Sequence, residues 1–322
     1  MIVEPDRPAS LFPDFFIVGV GRSGTTLARA IVIGHPSLEV PPETGFLPTL
    51  LRLKRLWWGR RGLRVDLFIR LAFANGRLNR AGVSHSDAMV ALTRRPPRTP
   101  SEAISRLYEV FAHEGVTTRV GDKTPFYGEH VALLSSTFPD SVFIHMVRHP
   151  LDVVASLLQQ PWGPSDPVAA AALWLKGVRA CSDVKLQEER MLVVRLEDLV
   201  QRPTSTVDLI CRHLGVTAQP QMLRFSERAG TIQNQNVHSG GHAGLQHPLT
   251  TTRDWRDHLS PADAAKVWNL VADTAMAFGY SGPELNRDFR EVSLLNARAR
   301  LAMFRLSRGW RRSRSIRRLV SR

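Results

Sequence analysis

The sequence predicts an α/β fold: a three-layer domain with a mainly parallel, five-stranded sheet and helices on both faces. Three observations carry that prediction. An apolar run, Phe15–Val18, passes through a glycine-rich turn directly into an amphipathic stretch that opens at Thr25. A second β-rich run, Val142–Val147, is followed by Pro150 and another helical stretch. Around them, short apolar runs alternate with helical ones, as in βα units packed on a parallel sheet. With 322 residues and 43% hydrophobic content, the chain can bury the core of one large domain.

Taken in order, Phe15–Val18 is continuously apolar, as expected of a strand buried on both faces. The first helix, Thr25 to Ile33, carries Leu27, Ala30, Ile31 and Ile33 for packing on the sheet, and Gly34 with Pro36 ends it. A short strand over 37–40 follows. Residues 50–115 read as a helical insertion, broken at Pro96-Pro97 and placed to cover an acceptor pocket. Trp57 and Trp58 within it suit either simple packing or stacking on a sugar or lipid-linked ligand. A third strand follows Thr118, Val142–Val147 is the fourth, and residues 169–190 read as a helix. Met191–Arg195 is the fifth strand, and a helical region runs from Glu197 to near Leu214-Gly215. Residues 231–252, rich in Gly, His, Asn and Gln, read as a loop. Ser260-Pro261-Ala262-Asp263 has the grammar of a helix start: an N-cap hydroxyl, proline in the first turn and an acid near the dipole.

Bulk properties narrow the function classes. The two cysteines, Cys181 and Cys211, stand apart without a histidine cluster, so neither a disulfide framework nor a zinc site is expected. Met1–Asp14 lacks the basic start and apolar core of a signal peptide, and no run approaches membrane-spanning length. A cytoplasmic setting is expected. The formal charge is +14, but residues 298–322 hold ten arginines and no acid, which leaves +4 for the remainder. The expected organisation is a single domain over 1–297 followed by an arginine-rich tail, 298–322. Such a tail suits a solvated extension or, through Leu301, Phe304, Trp310, Ile316 and Leu319, peripheral contact with the inner face of a membrane. Nucleic acid is not an expected partner.

The stretch Gly19-Val20-Gly21-Arg22-Ser23-Gly24-Thr25-Thr26 reads as a phosphate cradle. Its glycines let successive N–H groups turn inward, and the following helix adds its positive dipole end. The frame from Gly19 to Gly24 is that of a P-loop, yet Thr25 stands where a nucleoside-triphosphate loop carries lysine. This favours a shorter anionic group, with Arg22, Ser23, Thr25 and Thr26 as extra donors. Glu43, after Pro41-Pro42, lies where a second strand would deliver its end to the same sheet edge. There it is either a helix-start residue or a general base for an acceptor hydroxyl. Arg148, at the end of Val142–Val147, offers a planar multi-donor fork. With Ser156, a turn and a half into the next helix, it suits a phosphate monoester.

Val20-Gly21-Arg22-Ser23-Gly24-Thr25-Thr26 resembles the 5′-phosphosulfate loop of sulfotransferases that use 3′-phosphoadenosine 5′-phosphosulfate, and Arg148-x-Pro150 with Ser156 resembles their 3′-phosphate signature. The resemblance covers about residues 14–280 and implies a P-loop-type fold and sulfonate transfer without a metal. The donor is expected on Gly21, Arg22, Ser23, Gly24, Thr25, Thr26, Arg148 and Ser156. Gly121-Asp122-Lys123-Thr124-Pro125 is similar to the segment whose lysine meets charge on the leaving phosphate, which implies that role for Lys123. The stretch around Pro41-Pro42-Glu43-Thr44-Gly45 resembles that of tyrosylprotein sulfotransferases and implies Glu43 as the base. Gly45 departs from their acceptor-contacting arginine, which leaves carbohydrate, glycolipid, small alcohol and tyrosine acceptors open. Val194–Leu199 resembles a segment that packs beneath the donor, and Thr250–Pro261 one that closes over it, with Arg253, or else Arg256, as an extra contact. A P-loop small-molecule kinase and a non-catalytic anion- or lipid-binding module are the rival classes.

Overall fold

A computed structural model describes residues 12–112, 119–184, 186, 188–228, 254–283 and 293–306. Seven strands are present among them: β1 (Phe15–Gly19), β2 (Leu38–Glu39), β3 (Trp58–Gly59), β4 (Gly62–Leu63), β5 (Arg119–Lys123), β6 (Val142–Val147) and β7 (Met191–Arg195). Five form one parallel sheet in the order β2-β5-β1-β6-β7, the architecture expected. β1 lies at its centre, in register with β5 from Phe15↔Gly121 to Ile17↔Lys123 and with β6 from Phe15↔Val142 to Gly19↔Met146. Every residue of β1 is buried, so its unbroken apolarity follows from cover on both faces.

The pleat divides the core. Phe15 and Ile17 pack with Leu27, Ile31, Ile144 and Val194 on one face. Phe16 and Val18 pack with Phe46, Tyr108, Tyr127 and Phe143 on the other. The first face is covered by α1 (Thr25–Val32). The second lies under an insertion made of α2 (Leu47–Arg52), α3 (Lys54–Trp57), α4 (Val65–Phe73), α5 (Arg77–Arg80), α6 (His85–Arg94) and α7 (Pro100–Glu109). The Pro96-Pro97 break falls between α6 and α7 as expected. The start of the insertion differs from a plain helix: β3 and β4 form a small hairpin that turns over Gly59–Gly62, with Gly62 at φ 89. Trp57 is core, fully buried against Phe68 with its Nε1 donating to the Leu50 carbonyl at 2.8 Å, so packing decides between its two readings.

Beyond the insertion come α8 (Val131–Thr137), α9 (Pro150–Leu158) and α10 (Pro167–Ser182). The helix expected over 169–190 therefore begins two residues earlier, capped by Asp166, which accepts from the Ala169 N–H at 3.0 Å. It ends at Ser182, and among the described residues a 3₁₀ turn, Glu188–Arg190, precedes β7. The region after β7 is two helices, α11 (Leu196–Gln201) and α12 (Pro203–His213). Pro203 lacks an N–H and holds Arg202 out of the helical region, at φ −134 and ψ 60, so the chain breaks there. α13 (Pro261–Ala277) starts on the Ser260 cap as expected and packs on α9 and α10. Residues 294–306 are helical and run across the 297/298 boundary, burying Ala297 and Leu301 in the same cluster. The stretch 231–252 lies outside the described residues.

Candidate active site

The glycine loop leaves the C-terminal end of β1 and enters α1 through two left-handed residues, Arg22 at φ 76 and Gly24 at φ 87. A non-glycine residue with that φ costs about 1 kcal/mol and is found where surrounding contacts impose it. Two such contacts are present: the Arg22 Nε donates to Ser156 Oγ at 2.8 Å, and Arg148 Nη1 donates to the Arg22 carbonyl at 3.3 Å. The loop thus meets the arginine at the end of β6 and the serine of α9, although more than a hundred residues separate it from either. Leu196 packs under the turn, where a Cβ on Gly24 would lie 2.7 Å from its Cδ1. On the outer side a Cβ on Gly21 would stand 3.2 Å from Trp162 Cη2, so the backbone passes closely beneath the indole. Ser23 is buried, and its hydroxyl has no partner among the described residues.

Arg148 is itself buried and lies 3.7 Å from Asp152 on the next turn of α9. Burial pushes the Asp152 carboxyl up, and the Arg148 charge opposes that shift. The other oxygen of Asp152 accepts the Trp255 N–H at 3.0 Å, which ties residues 254–257 to the arginine. Arg253 lies outside the described residues. Arg256 is engaged locally, with Asp254 at 3.1 Å and over the ring of Trp255. Glu197, in the Val194–Leu199 segment, accepts from the His149 N–H and the Tyr280 hydroxyl, both at 2.9 Å, an anchoring arrangement next to Arg148.

Glu43 and Lys123 meet beside the loop. Lys123, the last residue of β5, is fully buried, and its Nζ donates to Glu43 Oε1 at 2.9 Å and to Thr26 Oγ1 at 3.4 Å. Burial lowers the ammonium pKa, and Glu43 is the largest opposing influence. The second oxygen of Glu43 receives Arg77 Nη1, from α5 of the insertion, at 3.2 Å. Beneath this pair lies a buried polar cluster. Asp122 accepts from Thr44 Oγ1 at 2.5 Å, Tyr108 OH at 2.6 Å and Thr124 Oγ1 at 2.7 Å. Desolvation raises the Asp122 pKa, and these three donors work against it. Tyr127 OH completes the cluster by accepting the Leu47 N–H at 3.1 Å. Arg29 of α1, pulled down to about 10 by burial, donates to the Val40 carbonyl at 2.8 Å and braces the strand that leads to Glu43.

The sequence reading assigned no role to Arg77, Asp122, Thr44, Tyr108, Tyr127 or Arg29. The charged residue directly before Lys123 was a usable signal for Asp122. Nothing local marks Arg77. Among the described residues no group of His, Cys, Asp and Glu is placed to hold a metal ion.

A family model described as the sulfotransferase family matches residues 13–220. This chain belongs to the sulfotransferase family. It is 28% identical over 240 residues to protein-tyrosine sulfotransferase 2 of Gallus gallus, covering 70% of this chain and 57% of that protein. A putative protein-tyrosine sulfotransferase of Caenorhabditis briggsae is 24% identical over 85% of this chain and 91% of its own length. Nodulation protein NoeE of Sinorhizobium fredii is 27% identical, with 82% and 65% covered. The chain thus spans little more than half of the chicken sulfotransferase it matches. Among solved structures, the sulfotransferase domain of the Synechococcus PCC 7002 olefin synthase superposes with a TM-score of 0.59 at 24% identity, over 88% of this chain and all of that one. The corresponding domain from the curacin biosynthetic pathway superposes with 0.57 at 21% identity, over 86% of this chain. These two likenesses concern the fold.

Proposed function

We propose that this sulfotransferase moves a sulfonate group from 3′-phosphoadenosine 5′-phosphosulfate to a hydroxyl acceptor, with Glu43 as general base. The observation that carries the reading is the Lys123–Glu43 pair, 2.9 Å apart and within reach of Thr26 at the mouth of the glycine loop. A carboxylate and an ammonium side by side next to the loop are the groups that transfer from a phosphosulfate held there would use. Gly21, Arg22, Ser23, Gly24, Thr25 and Thr26 hold the phosphosulfate, for which the unpartnered Ser23 hydroxyl and the close backbone at Gly21 are suited. Arg148 and Ser156 take the 3′-phosphate, and Arg253 is an additional donor contact.

Glu43 removes the proton of the acceptor hydroxyl as its oxygen bonds to sulfur. The bond from sulfur to the bridging phosphate oxygen breaks, and Lys123 meets the charge left on that oxygen. Burial of Lys123 strengthens this interaction, since its field is little screened. Positioning and electrostatics supply the catalysis, and the chain's residues require no metal for it. The chicken and nematode relatives are named as protein-tyrosine sulfotransferases, which supports a hydroxyl, tyrosine among them, as the acceptor.

The experiment is a calorimetric comparison of 3′-phosphoadenosine 5′-phosphate with adenosine 5′-phosphate on the wild type and on Arg148→Ala. Tight binding that needs both the 3′-phosphate and Arg148 is expected. Equal affinity for the two nucleotides, or none for either, overturns the reading.

A further inference from the structure

Helix 294–306 has two unlike faces. Ala297, Leu301 and Phe304 recur at helical spacing and pack inward against the cluster of α9, α10 and α13. Leu295, Ala299, Ala302 and Leu306 recur on the opposite side, with Met303 beside them. Leu295 is 79% exposed, Leu306 73% and Met303 63%, the three most exposed large apolar side chains among the described residues. Turning this stripe inward would expose the buried Ala297 and Leu301, and two ion pairs add to the present orientation. Arg300 pairs with Asp166 at 3.0 Å, and Arg305 pairs with Glu129, which also receives Lys176 at 2.8 Å.

We propose that the outward face of helix 294–306 docks this chain on an anionic lipid bilayer. The stripe enters the boundary between headgroups and acyl chains, and the arginines of residues 298–322 other than the paired Arg300 and Arg305 meet the lipid charge. Ten arginines with no acidic residue make that segment complementary to a negative surface, and charge of this kind adds to the burial of an apolar face. A cleft of about 530 Å³ adjoins the stripe between α10 and the helix. Leu175, Leu294 and Leu301 line it, with Arg179, Arg298 and Arg305 among its polar residues and Asp183 as its acid. A mainly basic rim beside exposed apolar side chains, Leu294 in the cleft and Leu295, Met303 and Leu306 on the stripe, suits an anionic amphiphile better than a nucleic acid, which would use the charges alone. The inference is independent of donor and acceptor identity.

The test is co-sedimentation of the full chain with vesicles of phosphatidylcholine alone and of phosphatidylcholine mixed with phosphatidylglycerol. The wild type and the double variant Leu295→Glu/Leu306→Glu are compared, with thermal unfolding as the check on folding. Both leucines are exposed, so the variant is expected to unfold as the wild type does. Wild-type binding to the anionic vesicles alone, reduced about 100-fold or more in the double variant, is the expected result. Equal binding by the two proteins would show that the arginines act alone and would overturn the docking face. No binding to anionic vesicles overturns it as well. A wild-type dimer that the double variant abolishes would assign the face to a second copy instead, and tighter binding to an oligonucleotide than to the vesicles would assign the segment to nucleic acid.

Discussion

On the proposed donor side, the glycine loop and Arg148 hang from the ends of β1 and β6, neighbouring parallel strands in register along the whole length of β1. On the proposed acceptor side, Glu43 belongs to no strand or helix and is held by side chains that arrive from 34 and 80 residues away, those of Arg77 and Lys123. The first arrangement is set by backbone hydrogen bonds and turn geometry. The second is set by charge and by a buried polar cluster. The loop that we propose as the donor site can therefore be written in a short motif, whereas the setting of the proposed base is distributed across the chain.

The strongest way to separate the halves is Glu43→Gln. Turnover, measured as acceptor-dependent release of 3′-phosphoadenosine 5′-phosphate, is expected to fall by about 10²- to 10⁴-fold, with nucleotide affinity kept. A parallel loss of nucleotide binding would mean that the carboxylate builds the donor side as well.

The next effect tests the strand beneath the donor side. His145 is buried in β6 against Phe278, with its Nε2 unpartnered among the described residues, and burial depresses its pKa to about 4. A depressed folded-state pKa means that the unfolded chain takes up the proton first. Stability is then lost as pH falls from the ordinary histidine value near 6.5 through about 4, by up to roughly 3 kcal/mol. His145→Phe is expected to flatten that part of a denaturant-melt pH profile, and an unchanged acid limb would contradict it.

Asp122→Asn addresses the cluster under the acceptor side, because an amide cannot accept all three hydroxyl donors. A loss of about 2 kcal/mol in thermal or denaturant unfolding is expected, with donor binding preserved. Smaller again is Ser156→Ala, which removes the 2.8 Å acceptor of Arg22 and is expected to weaken nucleotide binding about tenfold by calorimetry. The least is Gly45→Ala. Gly45 sits at φ 61, and a Cβ there would stand 2.9 Å from Arg77 Nη1. A cost of about 1 kcal/mol, near 2 °C in Tm, is expected, with donor affinity untouched.

The same contrast explains what could be read in advance. β1 was visible because burial on both faces writes an unbroken apolar run, Phe15–Val18, and β6 reads almost as plainly, interrupted only by the buried His145. Gly21–Thr26 was visible because close backbone approach admits few residues. The break at Pro203 and the hairpin over Gly59–Gly62 are not marked in a reading of helical regions, since local propensity there yields to a missing N–H and a left-handed turn. Arg77 carries no signal of its own: an arginine in a basic, helical stretch looks like a surface residue until the fold brings Glu43 to it. The contact of Arg22 with Ser156, 134 residues apart, is likewise a product of strand adjacency rather than of either motif.

The central position of β1 has a further consequence, in time rather than geometry. Its neighbours β5 and β6 engage it from both sides, so no fraying edge reaches it. Amides of such a strand exchange with solvent only when the sheet itself opens, whereas a helical cover can open locally and close again. The glycine loop is thus suspended from the part of the molecule slowest to let go.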